Sequence, residues 1–173
     1  AEDVGRELAE LCEGRRVRFM CSIALRAQQT AMLAARTYAE AADECDVPVE
    51  VRVGLHEVFA GEHEMSGSED THREYMVALR GWLDGDAAAR MPGGEGYADV
   101  LERYQPVLED IARELGDDDD VIVVSHGAAI RVVTTHACSV DPDFAYTGYM
   151  PNCRFTLMEP QGQPFGQWTL KRW

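Results

Sequence analysis

Apolar positions along the chain follow two spacings, which separate predicted strands from predicted helices. Short apolar runs typical of buried strands cover Val17–Ser22, Val49–Leu55 and Val121–Val124. Apolar residues three and four apart, or a helix-favouring composition, occur around Leu8, over Arg26–Ala42, from Val100 to Leu115 and over Ala128–Ala137. Strands that alternate with helices predict an α/β domain of three layers, in which helices flank a largely parallel central sheet.

Two further segments complete the predicted architecture. The runs "CRFTLME" and "QWTLKRW", joined through Pro160 to Pro164, are typical of an antiparallel hairpin that closes the chain. The run "FAGEHEMSGSED" carries too much Gly, Ser and charge for a core element and predicts a loop. No repeat, linker or low-complexity tract divides the sequence, so we expect residues 1–173 to form one domain.

Composition and charge exclude several classes of partner. The formal net charge is −15, and Lys171 is the only lysine, which argues against a grip on nucleic acid or on anionic membranes. No apolar run approaches the roughly 18 residues needed to cross a bilayer. The five cysteines are widely spaced and form no CxxC pair, which favours reduced thiols over a disulfide framework. We therefore expect a soluble, cytoplasmic protein.

The strand Val121–Val124 ends in Ser125, His126 and Gly127, an unusual set of residues for the end of a buried strand. Ligands of open parallel sheets sit beyond the carboxyl ends of the strands, which is where these residues fall. The amides after Gly127 open a predicted helix, and free N–H groups at a helix N-terminus favour an anion such as phosphate. The alternative interpretation is that His126 only caps a turn.

Two charged residues lie at the same predicted rim. Arg26 occupies the first turns of the helix that follows the strand Val17–Ser22, from where its guanidinium could hold an anion near His126. Glu57 follows the next strand and enters a Gly-containing loop, where it could protonate a leaving alcohol. Each residue alone is more often a solvated surface charge. The histidines of "HEVFAGEHE" are seven apart and match no standard ligand spacing, so no metal is predicted.

Five segments, in chain order, resemble the histidine phosphatase (phosphoglycerate mutase-like) superfamily. "SIALRAQQTA" is similar to its S-P-L-x-R-A-x-Q-T segment, with Ile23 and Ala24 in place of Pro and Leu. "LHEVFAGEHEMSG" resembles its L-x-E-x-x-x-G-x-x-E-G region, and "VVSHGAAIRVV" matches its S-H-G-x-x-I-R. "GGEGYADVLERY" looks like its G-G-E-S helix start with Gly96 in place of Ser, and "VGRELA" resembles its first helix with Leu8 where Gln is usual.

The resemblance implies a role for each candidate residue. Arg26 would bind the phosphoryl group, beside the backbone donors that the Gly127 junction adds as a helix N-terminus. Glu57 would donate a proton and later activate water, and His126 would be the second active-site histidine. In such enzymes another histidine, from an R-H-G motif on the first strand, attacks phosphorus and forms a phosphohistidine. The 173 residues contain no R-H-G.

We therefore expect the complete protein to carry a further central strand with the nucleophile. The 173-residue chain alone is expected to bind phosphate weakly and to hydrolyse nothing at an appreciable rate. A phosphate-binding pseudoenzyme that has lost the nucleophile is the rival interpretation.

Hydrolysis is favoured over phosphoglycerate mutase-type transfer. A mutase holds phosphorylated acids in two orientations, which calls for added cations and a lid after Glu57. Between Val58 and Glu95 only three arginines are present, scattered among acids: Arg73, Arg80 and Arg90. The expected partner is a small phosphorylated metabolite, selected by a variable loop from Ser66 to Gly93; no cofactor is expected, and a homodimer is compatible with the sequence.

Overall fold

The structure is a computed structural model that describes residues 1–64 and 66–173. Met65, inside the segment predicted as a loop, lies outside the described residues. In chain order the elements are α1 (Glu2–Leu11), β1 (Arg16–Ser22), α2 (Leu25–Ala42), β2 (Val49–Arg52), a 3-10 turn (Gly61–His63), α3 (Glu69–Asp84), α4 (Tyr97–Glu114), β3 (Asp119–Val124), α5 (Gly127–Ala137), α6 (Pro142–Thr147), β4 (Leu157–Glu159) and β5 (Thr169–Arg172).

The central sheet has the strand order β2-β1-β3, and both pairings are parallel. Ser22 is in register with Arg52 on one side, and Cys21 is in register with Val124 on the other. The carboxyl ends of all three strands therefore meet at one edge of the sheet. Strands β4 and β5 form the predicted antiparallel hairpin as a separate two-stranded sheet.

Two apolar clusters cover the two faces of the central sheet. On β1, Phe19 belongs to the cluster formed with α1 and α2, whereas Met20 belongs to the cluster formed with α3, α4 and α5. On β3, Ile122 packs against the first cluster and Val123 against the second. Consecutive strand residues point to opposite faces, so helices cover both sides of the sheet. The predicted three-layer α/β fold is confirmed.

Strand β3 is less buried than its apolar sequence predicts. The run Val121–Val124 is typical of a strand buried on both faces, yet every residue of β3 is half-buried. The reason is that β3 pairs with β1 along one edge and with no other described strand along the opposite edge. Strand β4 is also half-buried throughout, and its Met158 packs in the same cluster as Val123. One row of β3 backbone groups is thus free for a further partner.

Helix α3 occupies most of the segment Ser66–Gly93 that the sequence analysis interpreted as a variable loop. Its N-terminus is capped by Ser68, whose Oγ accepts the Thr71 N–H at 3.2 Å. Trp82 is fully buried on the inner face of the helix, and Gly85 ends it in the left-handed conformation at φ 76°. The loop interpretation was therefore wrong over this stretch, and a helix packs beside the site.

Candidate active site

His126 and Ser22 join the ends of two neighbouring strands. His126 is the N-cap residue of α5 and is 7% exposed, and Ser22, at the end of β1, is fully buried. The His126 Nε2 and Ser22 Oγ atoms are 2.9 Å apart, within hydrogen-bond distance. Ser22 Oγ also accepts the Ala24 N–H at 3.2 Å, which holds the hydroxyl at the start of α2. His126 is therefore fixed at the carboxyl edge of the sheet, where the sequence predicted it.

The charge state of His126 is set by its burial. Burial, followed by the positive charges of Arg26, His56 and Arg103, lowers the pKa of His126 from 6.5 to about 4. The imidazole is therefore neutral near pH 7. A negative charge beside the ring would act against the three positive charges and favour the protonated form, so binding of an anion there would be coupled to proton uptake by His126.

Glu57 occupies the N-terminus of α5 with its own carboxylate. Its Oε1 accepts the N–H groups of Val58 and Ala129, both at 2.9 Å, and its Oε2 accepts the Ala128 N–H at 3.3 Å. The sequence analysis predicted a phosphate at this helix terminus, whereas in the structure the Glu57 carboxylate accepts two of its amides. Within the described residues, the Gly127 N–H donates to no acceptor, so it is the first-turn amide left for a ligand.

Arg26 lies in the first turn of α2, and its side chain is exposed. No described carboxylate lies within ion-pair distance of it. It follows β1, which ends at Ser22, so its side chain starts from the same edge of the sheet as His126, and its positive charge contributes to the lowered pKa of His126. The structure thus brings Arg26, Glu57, His126 and Gly127 to one edge of the sheet, from positions far apart in the sequence.

A second polar network beneath Glu57 was missed by the sequence analysis. Arg103 on α4 forms an ion pair with Glu95 at 2.8 Å and also donates to backbone carbonyls of the Glu57 loop. The Tyr104 and Ser125 hydroxyls lie within hydrogen-bond distance of each other and of the Leu55 carbonyl oxygen, at 3.0 and 3.1 Å from that oxygen, and their two protons can serve two of these three contacts at a time. Glu95 belongs to the quoted "GGEG" segment, but no spacing rule connects it to Arg103.

Two of the remaining histidines, His63 and His136, are held by contacts within the protein. The His63 ring contacts Thr71 Oγ1 at 3.1 Å and Glu74 Oε2 at 3.2 Å, and His136 Nε2 lies 2.8 Å from the Trp82 carbonyl oxygen. His56 keeps a buried Nδ1 with no described hydrogen-bond partner, and burial lowers its pKa. In the part of the chain that the structure describes, no group of three or more His, Cys, Asp or Glu side chains could hold a metal ion.

The fold is an α/β fold whose sheet carries the candidate residues at one edge, and the comparison with family models gives its family. The model of the histidine phosphatase superfamily, branch 1, matches residues 1–173. The chain therefore belongs to the histidine phosphatase superfamily, as its motifs predicted.

Solved structures of this fold superpose over almost the whole chain. A mycobacterial glucosyl-3-phosphoglycerate phosphatase, solved with inorganic phosphate, is similar with a TM-score of 0.72 at 20% identity, over 99% of this chain and 82% of that one. The alpha-ribazole phosphatase from Shigella flexneri is similar with a TM-score of 0.61 at 19% identity, over 99% of this chain and 80% of that one. At these identities the likeness establishes the fold.

Curated relatives match shorter stretches. The 6-phosphofructo-2-kinase/fructose-2,6-bisphosphatase of Gallus gallus is 32% identical over 100 residues, 56% of this chain and 20% of the relative. The 2,3-bisphosphoglycerate-dependent phosphoglycerate mutase 2 of Gloeobacter violaceus is 33% identical over 113 residues, 62% of this chain and 50% of the relative. The chain thus corresponds to between a fifth and a half of these proteins, which include both phosphatases and mutases.

Among the described residues, every helix is too short or too polar to span a bilayer.

Proposed function

We propose that the complete protein hydrolyses phosphomonoesters of small metabolites through a phosphohistidine intermediate. The observation that carries this proposal is the position of Arg26, Glu57 and His126 at the carboxyl edge of the sheet, where the Glu57 carboxylate accepts amides of the α5 N-terminus. The Arg26 guanidinium, the Gly127 N–H and protonated His126 would hold the phosphoryl oxygens. These groups stabilise the charge that develops during transfer.

Glu57 moves the proton in both halves of the proposed reaction. A histidine nitrogen of the R-H-G segment implied by the family forms a bond to phosphorus while the bond to the ester oxygen breaks. Protonated Glu57 gives its proton to that oxygen, which leaves as an alcohol. In the second step Glu57 takes a proton from water, the water oxygen bonds to phosphorus, and the histidine leaves. Free phosphate is the second product.

The unpaired edge of β3 supports a further strand in the complete protein. All six β3 residues are half-buried, and Met158 of β4 packs in the same apolar cluster as Val123 of β3. A strand paired with β3 would satisfy its free backbone groups, each worth roughly 1–3 kcal/mol when buried without a partner. Its carboxyl end would also lie beside His126, where the nucleophile is needed.

The arginines after Glu57 support hydrolysis over mutase chemistry. Arg73 pairs with Asp70 at 3.5 Å, Arg80 pairs with Asp84 at 2.7 Å, and Arg90 lies 3.5 Å from Asp99. Each guanidinium therefore already faces a carboxylate. A mutase needs such cations for the acid group of its substrate.

Glu57→Gln tests the proton-transfer role. We expect turnover to fall about a hundredfold for an alkyl phosphate and only a few-fold for p-nitrophenyl phosphate, because only a poor leaving group needs a proton at the transition state. The measurement is kcat/KM for both substrates. Glu62→Gln, in the same loop with an exposed side chain, is the matched control. Equal losses for the two substrates would remove Glu57 from the acid role.

Metal independence and the nucleophile are tested on the same protein. We expect EDTA to leave hydrolysis unchanged and an acid-labile phosphoenzyme to accumulate during turnover. The assay compares the 173-residue chain with a form that carries the R-H-G segment. Activity lost to EDTA and restored by a divalent cation would contradict the mechanism, and interconversion of phosphoglycerates faster than their hydrolysis would favour a mutase.

A further inference from the structure

Arg103 uses all five of its N–H donors on one loop and one carboxylate. Nε and Nη2 donate to the two Glu95 carboxylate oxygens, at 2.9 and 2.8 Å. Nη1 donates to the carbonyl oxygens of Gly54 at 2.7 Å and His56 at 2.8 Å, and Nη2 donates to the Glu57 carbonyl at 3.0 Å. The side chains of Arg103 and Glu95 are only 15% and 19% exposed. A guanidinium saturated in this way has no donor left for substrate.

The contacts of Arg103 and Glu95 lie on both sides of Glu57 in the chain. The guanidinium fixes the backbone at three points from Gly54 to Glu57, and Glu95 Oε2 accepts the Phe59 N–H at 2.9 Å. Gly54 itself has φ +97°, and a Cβ there would lie 2.6 Å from the Arg103 carbonyl oxygen, so loop and helix are in direct contact. The pair therefore holds the main chain on each side of the residue that caps α5.

We propose that Arg103 and Glu95 are positioning residues for Glu57, an inference that rests on the function proposed above. They contact neither the phosphate nor the leaving group. They set the position and orientation of the Glu57 carboxylate at the carboxyl edge of the sheet. The planar fork of arginine makes this possible, because it reaches three carbonyls and a carboxylate in fixed directions. Lysine would keep the charge but has one nitrogen, which cannot reproduce that geometry.

The first test follows the Glu57 carboxylate directly and needs no activity. The Ala129 N–H has Glu57 Oε1 as its acceptor, so its hydrogen exchange reports where the carboxylate is. In the 173-residue chain, we expect Arg103→Lys to speed Ala129 exchange about tenfold and to leave the β1 amide of Phe19 unchanged. Glu57→Ala should speed hydrogen exchange at Ala129 to a similar extent, because it removes the acceptor itself. Arg113→Lys, on the same helix and paired with Asp110 at the surface, should change neither amide.

Two outcomes would overturn the inference: unchanged Ala129 exchange in folded Arg103→Lys, or exchange that rises equally at Ala129 and Phe19, which marks general destabilisation. Should Arg103→Lys not fold, Glu95→Gln provides the same readout. It keeps the side-chain shape and removes the charge that pairs with the guanidinium. Faster exchange confined to Ala128 and Ala129 is then expected.

The second test separates this inference from the function on which it rests. In the active protein, Arg103→Lys should reproduce the leaving-group dependence of Glu57→Gln, with a loss of about tenfold for alkyl phosphate and less than twofold for p-nitrophenyl phosphate. The double variant Glu57→Gln/Arg103→Lys should show little further loss of activity beyond that of Glu57→Gln alone. If Glu57→Gln shows no such dependence, the proposed role of Glu57 is wrong. If Glu57→Gln shows it and Arg103→Lys does not, only the positioning role is wrong.

Discussion

Trp82→Ala is expected to lower the free energy of unfolding by about 3–5 kcal/mol, as large aromatic-to-alanine changes in cores do. The indole is fully buried and packs edge-to-face on Tyr75, with ring centroids 5.8 Å apart. Its Nε1–H donates to the Ala89 carbonyl at 2.9 Å, so the variant also leaves that oxygen without its donor. The change removes both packing and a link between α3 and the following loop.

Urea unfolding monitored by circular dichroism measures this effect. Val77→Ala is the matched control, because Val77 lies on the same helix with its side chain 70% exposed, and we expect a change within about 0.5 kcal/mol there. A loss below 1 kcal/mol for Trp82→Ala would mean that α3 contributes little to the stability of the domain.

His126 is expected to make the protein sensitive to acid. Its pKa falls from 6.5 to about 4 on folding, chiefly because burial disfavours the charged ring. Between these values the unfolded chain binds a proton that the native chain does not, so stability falls as the pH drops from 6.5 to 4 and His126 adds no further loss below that. The difference corresponds to about 3 kcal/mol. His126→Gln, which cannot take up a proton, should lose about that much less than the parent between pH 7 and pH 4.

Chemical denaturation across this pH range gives the comparison. His72→Gln is the control, since His72 is exposed and should leave the pH profile of the parent unchanged. Parallel profiles for the parent and His126→Gln would show that the imidazole is not held neutral on folding, and the coupling between phosphate binding and protonation would lose its basis.

Local patterns predicted the elements that carry strong periodicity. The apolar runs at Phe19 and Ile122 and the helical spacing from Val100 onward correspond to β1, β3 and α4. Helix α3 was missed because Gly, Ser and charged residues precede it and suggested that the loop continues. Its signals were Ser68 as N-cap, with Leu79 and Trp82 three residues apart on the buried face. The half-buried state of β3 could not be predicted, because it depends on which strands lie beside it.

For the candidate site too, local patterns predicted some features, whereas others depend on contacts between distant parts of the chain. Arg26, Glu57 and His126 each follow a predicted strand, and the geometry of parallel sheets brings strand ends together. The cap that Glu57 places on α5 was not foreseen, because it joins residues 71 and 72 positions apart through backbone amides. The Arg103 contacts with the Glu57 loop likewise span 46 to 49 positions and depend on how α4 packs. Contacts between residues so far apart in the chain leave no periodic signal in a sequence.

The parallel pairing of β1 with β3 has a consequence for how the chain folds. Arg18 is in register with Val121, so the central pair closes only after a loop of about a hundred residues has been brought together. Contacts of such high sequence separation slow folding. During synthesis the apolar side chains of β1 emerge long before their β3 partners, and until then they depend for cover on the elements made before β3, which are α1 to α4 and β2. Refolding in vitro should therefore be slow, because it requires pairing of strands far apart in the sequence. The N-terminal third should be prone to aggregation if the chain stops before β3 is made.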